Sequence, residues 1–217
     1  MSFAKSEMVA LSALSSARLV VKLAQEKGVV RDTLAYREPL GHVGAILADA
    51  TLQAGLNYRT VVKGRIDRIV RDFPEAATLS GMFDTIALVG IYNFLQWRHH
   101  TKVSRFIYLA ELLRNERVDD CHQLRIWLQK PVAREKLRSI NGVGPKTVDY
   151  LCGLAGLDFI AVDRHIRAFA SDAGVIAVDY DFLQTVVSYA ADLLGVSRRH
   201  FDASIWMYVS NQKVGVA

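Results

Sequence analysis

Two side chains of this sequence could share one reaction: the amine of Lys146 and the carboxylate of Asp163, 17 residues further on. Lys146 lies in the run Leu137-Arg138-Ser139-Ile140-Asn141-Gly142-Val143-Gly144-Pro145-Lys146-Thr147-Val148-Asp149-Tyr150-Leu151. That run reads as a helix, a tight Gly-x-Gly turn, and a second helix that opens on the lysine. Asp163 lies in Ile160-Ala161-Val162-Asp163-Arg164-His165-Ile166, at the start of a further helix. A phosphate-gripping turn, an amine nucleophile and an acid together suit base-excision chemistry.

A lysine amine is a poor nucleophile while protonated, and its ordinary pKa is near ~10.4. Burial and neighbouring positive charge lower that value, and the free amine then attacks an anomeric carbon. A carboxylate nearby would stabilise oxocarbenium charge and help to move protons. Taken singly, each residue has a plainer reading: a solvated lysine at a helix start, and an aspartate capping a helix.

Gly142 and Gly144 permit left-handed backbone and close approach to a bound group. Their amides, with those of Lys146 and Thr147 at a helix N-terminus, are expected to converge on an anion. Asn141 and Val143 complete the expected contact surface. Such contacts position DNA through its backbone without reading its sequence. Glycines alone would equally permit an ordinary reversal between helices.

The segment from Leu137 to Arg167 resembles the helix–hairpin–helix and following loop of the DNA glycosylase superfamily that includes endonuclease III, adenine-mismatch glycosylase and 8-oxoguanine glycosylase. The superfamily pattern Leu-Pro-Gly-Val-Gly-x-Lys-Thr stands here as Ile140-Asn141-Gly142-Val143-Gly144-Pro145-Lys146-Thr147. Its Val-Asp-x-His stands as Val162-Asp163-Arg164-His165. Weaker likeness runs upstream through Ile46-Leu47, Asn57-Tyr58, Phe73-Pro74 and Gly90-Ile91-Tyr92-Asn93, so the resemblance spans roughly residues 40 to 170.

The resemblance implies that Lys146 forms a Schiff base and that Asp163 is the essential acid, which makes a bifunctional glycosylase and AP lyase. It implies a two-lobed all-α fold with a cleft between the lobes. One lobe would span residues 40–160, ending in the hairpin at about 132–156; the other would join 1–39 to 161–217. The partner would be double-stranded DNA carrying a damaged or mismatched base or an abasic site. No cofactor is required on this reading. A monovalent cation (Na+ or K+) could sit on the carbonyls of Arg138, Ile140 and Val143. A glycosylase with little lyase activity, and a noncatalytic DNA-binding hairpin, remain as alternatives.

Several residues depart from the pattern or leave it open. Asn141 replaces the usual hairpin proline, and Gly156-Leu157-Asp158-Phe159 lacks the proline of the familiar loop. For the wedge that fills the gap left by an extruded base, Asn57 and Tyr58 are favoured and Gln53 is kept as a further candidate. Helix capping by Asn57 and core packing by Tyr58 are the plainer options. His165 is counted among the DNA-facing candidates, with a structural, hydrogen-bonded role preferred over catalysis. The insert Phe94 to His100 is aromatic and basic, and its adjacent His99 and His100 lack the spacing of a metal site.

Composition sets the frame. Hydrophobic residues make up 51% and charged residues 23%, which is globular rather than disordered. A net charge of +5 and a pI near 9.3 suit a polyanionic partner without requiring one. The two cysteines, Cys121 and Cys152, cannot supply the four thiolates of an iron–sulfur cubane and suit a reducing compartment. The longest uncharged run, Thr85 to Trp97, is 13 residues, short of the ~20 a membrane helix needs. A monomeric cytoplasmic protein, associated with the nucleoid when on DNA, is the expectation.

The elements are helical throughout. Met8, Leu11, Leu14, Leu19 and Leu23 recur at helical spacing before Gly28. Val43–Leu52 and Tyr58–Val70 read as helices separated by Gly55-Leu56-Asn57, the second stopped at Phe73-Pro74. Met82–Phe94 is apolar nearly all round and is expected in the core. In Val103–Leu113, Phe106, Ile107, Ala110 and Leu113 lie on one side, with Arg105, Glu111 and Arg114 elsewhere. Cys121–Gln129, Pro131–Arg138, and helices from about Lys146, Asp163, Asp181 and Ser197 complete the chain.

Overall fold

Proline, glycine and short polar side chains punctuate this chain, and the helices begin and end where they fall. The structure, a computed structural model, describes residues 2–30, 38–176 and 179–212. The parts of the expected domain ranges at 1, 31–37, 177–178 and 213–217 lie outside these residues. Among the described residues every regular element is helical, and no strand is present.

The chain divides into two compact units: Pro39–Leu157, and Met1–Glu38 with Asp158–Ala217. In the first, α2 (Val43–Leu52) is buried along its whole length, Asp49 and Thr51 included. His42 caps it, its Nδ1 accepting from the Ala45 amide at 3.1 Å while its Nε2 meets the Phe73 carbonyl at 3.0 Å. A π-helical turn, Tyr58–Val62, is capped by Asn57 and runs into α3 (Lys63–Asp72). Pro74 prevents continuation of α3 and opens a 3-10 turn, Pro74–Ala77.

Three further helices follow: α4 (Leu79–Val89), α5 (Ile91–Leu95) and α6 (His100–Asn115). Next come α7 (Cys121–Leu128), capped by Asp120, then α8 (Pro131–Arg138) and α9 (Pro145–Leu154). Both α8 and α9 open on proline, which costs nothing where the first amides have no helical partner. α2 packs against α3, α6 and α9 and is the central element of this unit.

The second unit holds α1 (Ser2–Lys27), α10 (Arg164–Asp172), α11 (Tyr180–Leu194) and α12 (Arg198–Gln212). Its core gathers Ala13, Ala17, Val20 and Ala24 of α1 with Leu183, Val186, Val187, Ala190 and Ala191 of α11. Phe169, Phe201 and Ile205 close it from α10 and α12.

Burial departs from the apolar pattern of the sequence at three places. On α1 the buried stripe is the alanine-rich one, not the Met8–Leu23 series; Leu11 is 61% exposed. Small side chains let two helices approach closely, and the larger leucines then fall outside the contact. The run Met82–Phe94 is not one core helix, because Gly90 at φ 80° breaks it and leaves Leu88 87% exposed. On α6 the inward position belongs to Leu109, while Ile107 is exposed.

Candidate active site

The turn between α8 and α9 is closed by short backbone bonds. The Ile140 amide donates to Leu137, and the Val143 amide to Ile140 at 3.0 Å. Gly142 sits at φ 79°, where a side chain would be strained, and an added Cβ would collide with the Arg105 guanidinium. Gly144, by contrast, is extended at φ −93° and serves as the N-cap position of α9. The expected left-handed freedom is therefore used at Gly142 alone. Arg105 of α6 reaches the turn and donates from Nε to the Asn141 carbonyl at 3.2 Å.

From this turn, α9 carries Lys146 and, one turn later, Tyr150 on the same face. α2 presents Asp49 and Gln53 with the same spacing, and the two pairs meet. Lys146 Nζ donates to Gln53 Oε1 at 2.7 Å, and the Tyr150 hydroxyl donates to Asp49 Oδ1 at 2.9 Å. The Tyr58 hydroxyl reaches Asp49 Oδ2 at 3.2 Å. Asp49 is fully buried, so these hydroxyls replace the water its carboxylate gave up.

A second amine arrives at the same helix end. Lys102 Nζ donates to the carbonyls of Thr51, Leu52 and Ala54 at 3.1, 3.0 and 2.7 Å. These are carbonyls that the last turn of α2 leaves without helical donors. Burial, Arg105 and Lys146 pull the Lys102 ammonium down to about 8. Four nitrogen-bearing side chains, those of Gln53, Lys102, Arg105 and Lys146, thus line one end of the α2–α9 seam.

In the other unit, Asp163 caps α10. Its Oδ1 accepts from the His165 and Ile166 amides at 2.7 and 3.0 Å, and its Oδ2 meets His165 Nδ1 at 2.8 Å. His165 is buried, with its ring edge-to-face on Trp206 at 5.9 Å between centroids. The carboxylate is held rigidly by three contacts, and a fifth of the side chain stays exposed.

The other sequence candidates fall as follows. Asn141 and Gly142 are exposed at the turn, and Val143 is buried beneath it. Thr147 is buried and its amide donates to the Gly144 carbonyl at 3.0 Å, so the expected convergence of that amide on an anion is corrected. Asn57 is exposed and caps the π-helical turn, its Oδ1 accepting from the Thr60 amide at 3.1 Å. Tyr58 is half-buried on Asp49. Gln53 is brought to Lys146 rather than outward.

Of the expected cation carbonyls, that of Ile140 already accepts from Val143, and Arg105 stands at the adjoining Asn141 carbonyl. No cluster of three or more His, Cys, Asp or Glu side chains that could hold a metal occurs among the described residues. Cys121 and Cys152 are both free thiols, and burial pushes them up to about 11 and about 12. The insert after Phe94 is tied to α3: Arg65 donates from Nε to the Gln96 carbonyl at 3.1 Å and lies over Trp97.

Lys102, Arg105 and Asp49 were not among the sequence candidates. Asp49 had a usable signal, as the lone carboxylate in the otherwise uncharged helix Val43–Leu52. Lys102 and Arg105 had none, because charges at the start of a helix are normally solvated.

An all-helical chain with a polar seam between two of its helices is what fold and site define. The chain belongs to the family DUF8548, a domain of unknown function, which matches residues 100–210, just over half of its length. That match covers Lys102, Arg105, Lys146 and Asp163 but not α2. No curated protein and no solved structure matches the chain. Among the described residues no helix is long and apolar enough to cross a membrane.

Proposed function

We propose that this protein is a base-excision DNA glycosylase with AP lyase activity, acting through Lys146. The observation that carries the reading is the setting of the Lys146 amine. It is bonded to the neutral amide of Gln53, neighbours the Lys102 cation, and follows a Gly142–Gly144 turn with Arg105 beside it. In this reading the α8–turn–α9 segment is the helix–hairpin–helix of the superfamily named above, and the two units are its two lobes.

The chemistry is that of an uncharged amine. Nζ bonds to C1′ of the nucleotide as the bond from C1′ to the base breaks; the base leaves with that electron pair and takes up a proton. Nζ then loses a proton, and the sugar ring opens with O4′ taking one up, leaving a protonated imine. Removal of a C2′ proton expels the 3′ phosphate with the C3′–O electron pair. The resemblance assigns to Asp163 the carboxylate that stabilises positive charge at the sugar. Arg105 and the turn amides contact the DNA backbone, so binding weakens as salt rises.

A second reading has one observation in its favour. The Lys146–Gln53 bond would also suit a structural lysine in a noncatalytic DNA-binding hairpin. A panel of duplexes, each with one oxidised, deaminated or mismatched base, separates the two. The enzyme reading expects release of the free base and strand scission from at least one duplex. Binding across the panel with no base released from any duplex establishes the noncatalytic hairpin instead.

A further inference from the structure

We propose that this chain pairs with a second copy of itself through the outer face of α1, in place of the monomer expected from its sequence. The inference does not depend on the role of Lys146. It starts from a helix left uncovered near one end. Residues 7–12 of α1 are all exposed, and Met8, Val9, Ala10 and Leu11 among them are apolar. Met8 is 69% exposed, and Leu193 in the last turn of α11 is 51% exposed. Single surface leucines need no explanation, whereas a contiguous apolar patch marks a contact. A helical stretch that is apolar on every side is stable where something buries it.

The patch runs into a groove of about 450 Å³ between α1 and α11. Leu11, Leu14, Tyr189 and Leu193 line it, together with the acids Glu7 and Asp192. The alanine stripe of α1 is turned the other way, into the core against α11. The outer face is therefore a surface of its own.

The order of residues along α1 says what fits there. Glu7, Leu11, Leu14 and Arg18 stand four, three and four residues apart, which puts them on one face. Toward the C-terminus that face reads acid, apolar, apolar, base. Such a series is its own complement when reversed. Two copies of α1 laid antiparallel about an axis level with Ser12 and Ala13 would set Leu11 against Leu14 and Glu7 against Arg18. Each contact then occurs twice, as a two-fold interface requires. A parallel pair would set like charges together at both positions, which is repulsive.

Asp192 brings a second carboxylate to the groove, bonded to Arg198 at 3.1 Å, and favours the arriving Arg18 further. Burial of the leucines supplies the affinity. Exposed ion pairs add little to it, and their part is to fix direction and register. An unrelated partner has to match both leucines and both charges; a second copy does so by construction.

The test is sedimentation equilibrium of the full chain over a concentration series. Wild type should pass from the mass of one chain to that of two as concentration rises. Leu11→Asp should stay at one chain throughout. Glu7→Arg and Arg18→Glu should each weaken pairing by about tenfold, because the two-fold axis doubles every change, and the two combined should restore it. All three positions are exposed, so helical circular dichroism should not change.

Wild type at the mass of one chain at every concentration overturns the proposal. Binding of that monomer to anionic lipid vesicles, lost in Leu11→Asp, would assign the face to a membrane surface instead. A two-chain mass that survives Leu11→Asp overturns the choice of face. Single charge reversals without effect, or a combined reversal that fails to restore pairing, overturn the antiparallel arrangement.

Discussion

Lys146 Nζ lies 2.7 Å from the side-chain oxygen of Gln53, 93 residues away in sequence. The contact ties the first turn of α9 to the last turn of α2, and it is neutral on one side. Gln53→Leu should remove the acceptor that aims the amine, lowering the trapping rate on abasic duplex by about tenfold with duplex affinity held. Gln53→Glu should slow trapping at neutral pH further, because a carboxylate at that distance holds the proton on Lys146. Single-turnover trapping and duplex titration, run side by side, check both.

The Asp49 carboxylate binds the two halves of the same seam. Asp49→Ala would leave the Tyr58 and Tyr150 hydroxyls without their acceptor and a void at a fully buried position. Urea unfolding should show a loss of about 3 kcal/mol. Tyr150→Phe, which breaks one bond and keeps the ring, should cost about half of that.

How far such features could be read in advance depended on whether the signal was local. Pro74, Pro131 and Pro145 mark helix limits because a proline acts on its own neighbours, and the all-helical class followed from many such limits. The Gly142–Lys146 turn was legible for the same reason. The inward face of α1 was not, since Ala13 and Ala17 outrank Leu11 only once α11 is known to approach closely. Lys102 was hidden more deeply: its three acceptors lie about fifty residues upstream, on a helix end that sequence does not bring to it.

His42 makes the stability of the first unit depend on pH. Burial lowers its pKa from the ordinary 6.5, outweighing the bond to the Phe73 carbonyl, which raises it. The neutral ring accepts at Nδ1 and donates from Nε2; protonation would turn the accepting nitrogen against an N–H. Below 6.5 the unfolded chain takes up a proton that the folded chain still refuses, so stability falls with pH down to the lower folded value. Wild type should lose stability across that window. His42→Ala should be about 1 kcal/mol less stable at pH 7 and should lack that histidine-linked slope.

Asp163→Asn tests the acid without dismantling α10. Asparagine caps a helix about as well as aspartate, so thermal unfolding should shift little. What is removed is the charge. Base release and trapping should fall by about a hundredfold or more while duplex affinity stays near wild type. A variant that turns over normally would reduce Asp163 to a helix cap.

The central claim is a covalent bond between Lys146 and sugar. Borohydride reduction of the protein on an abasic-site duplex, followed by denaturing electrophoresis and mass mapping of the adduct, measures it directly. The account predicts a stable cross-link located on Lys146, present in wild type and lost in Lys146→Ala. A wild-type protein that binds the duplex without cross-linking, or a cross-link that persists in Lys146→Ala, would contradict it.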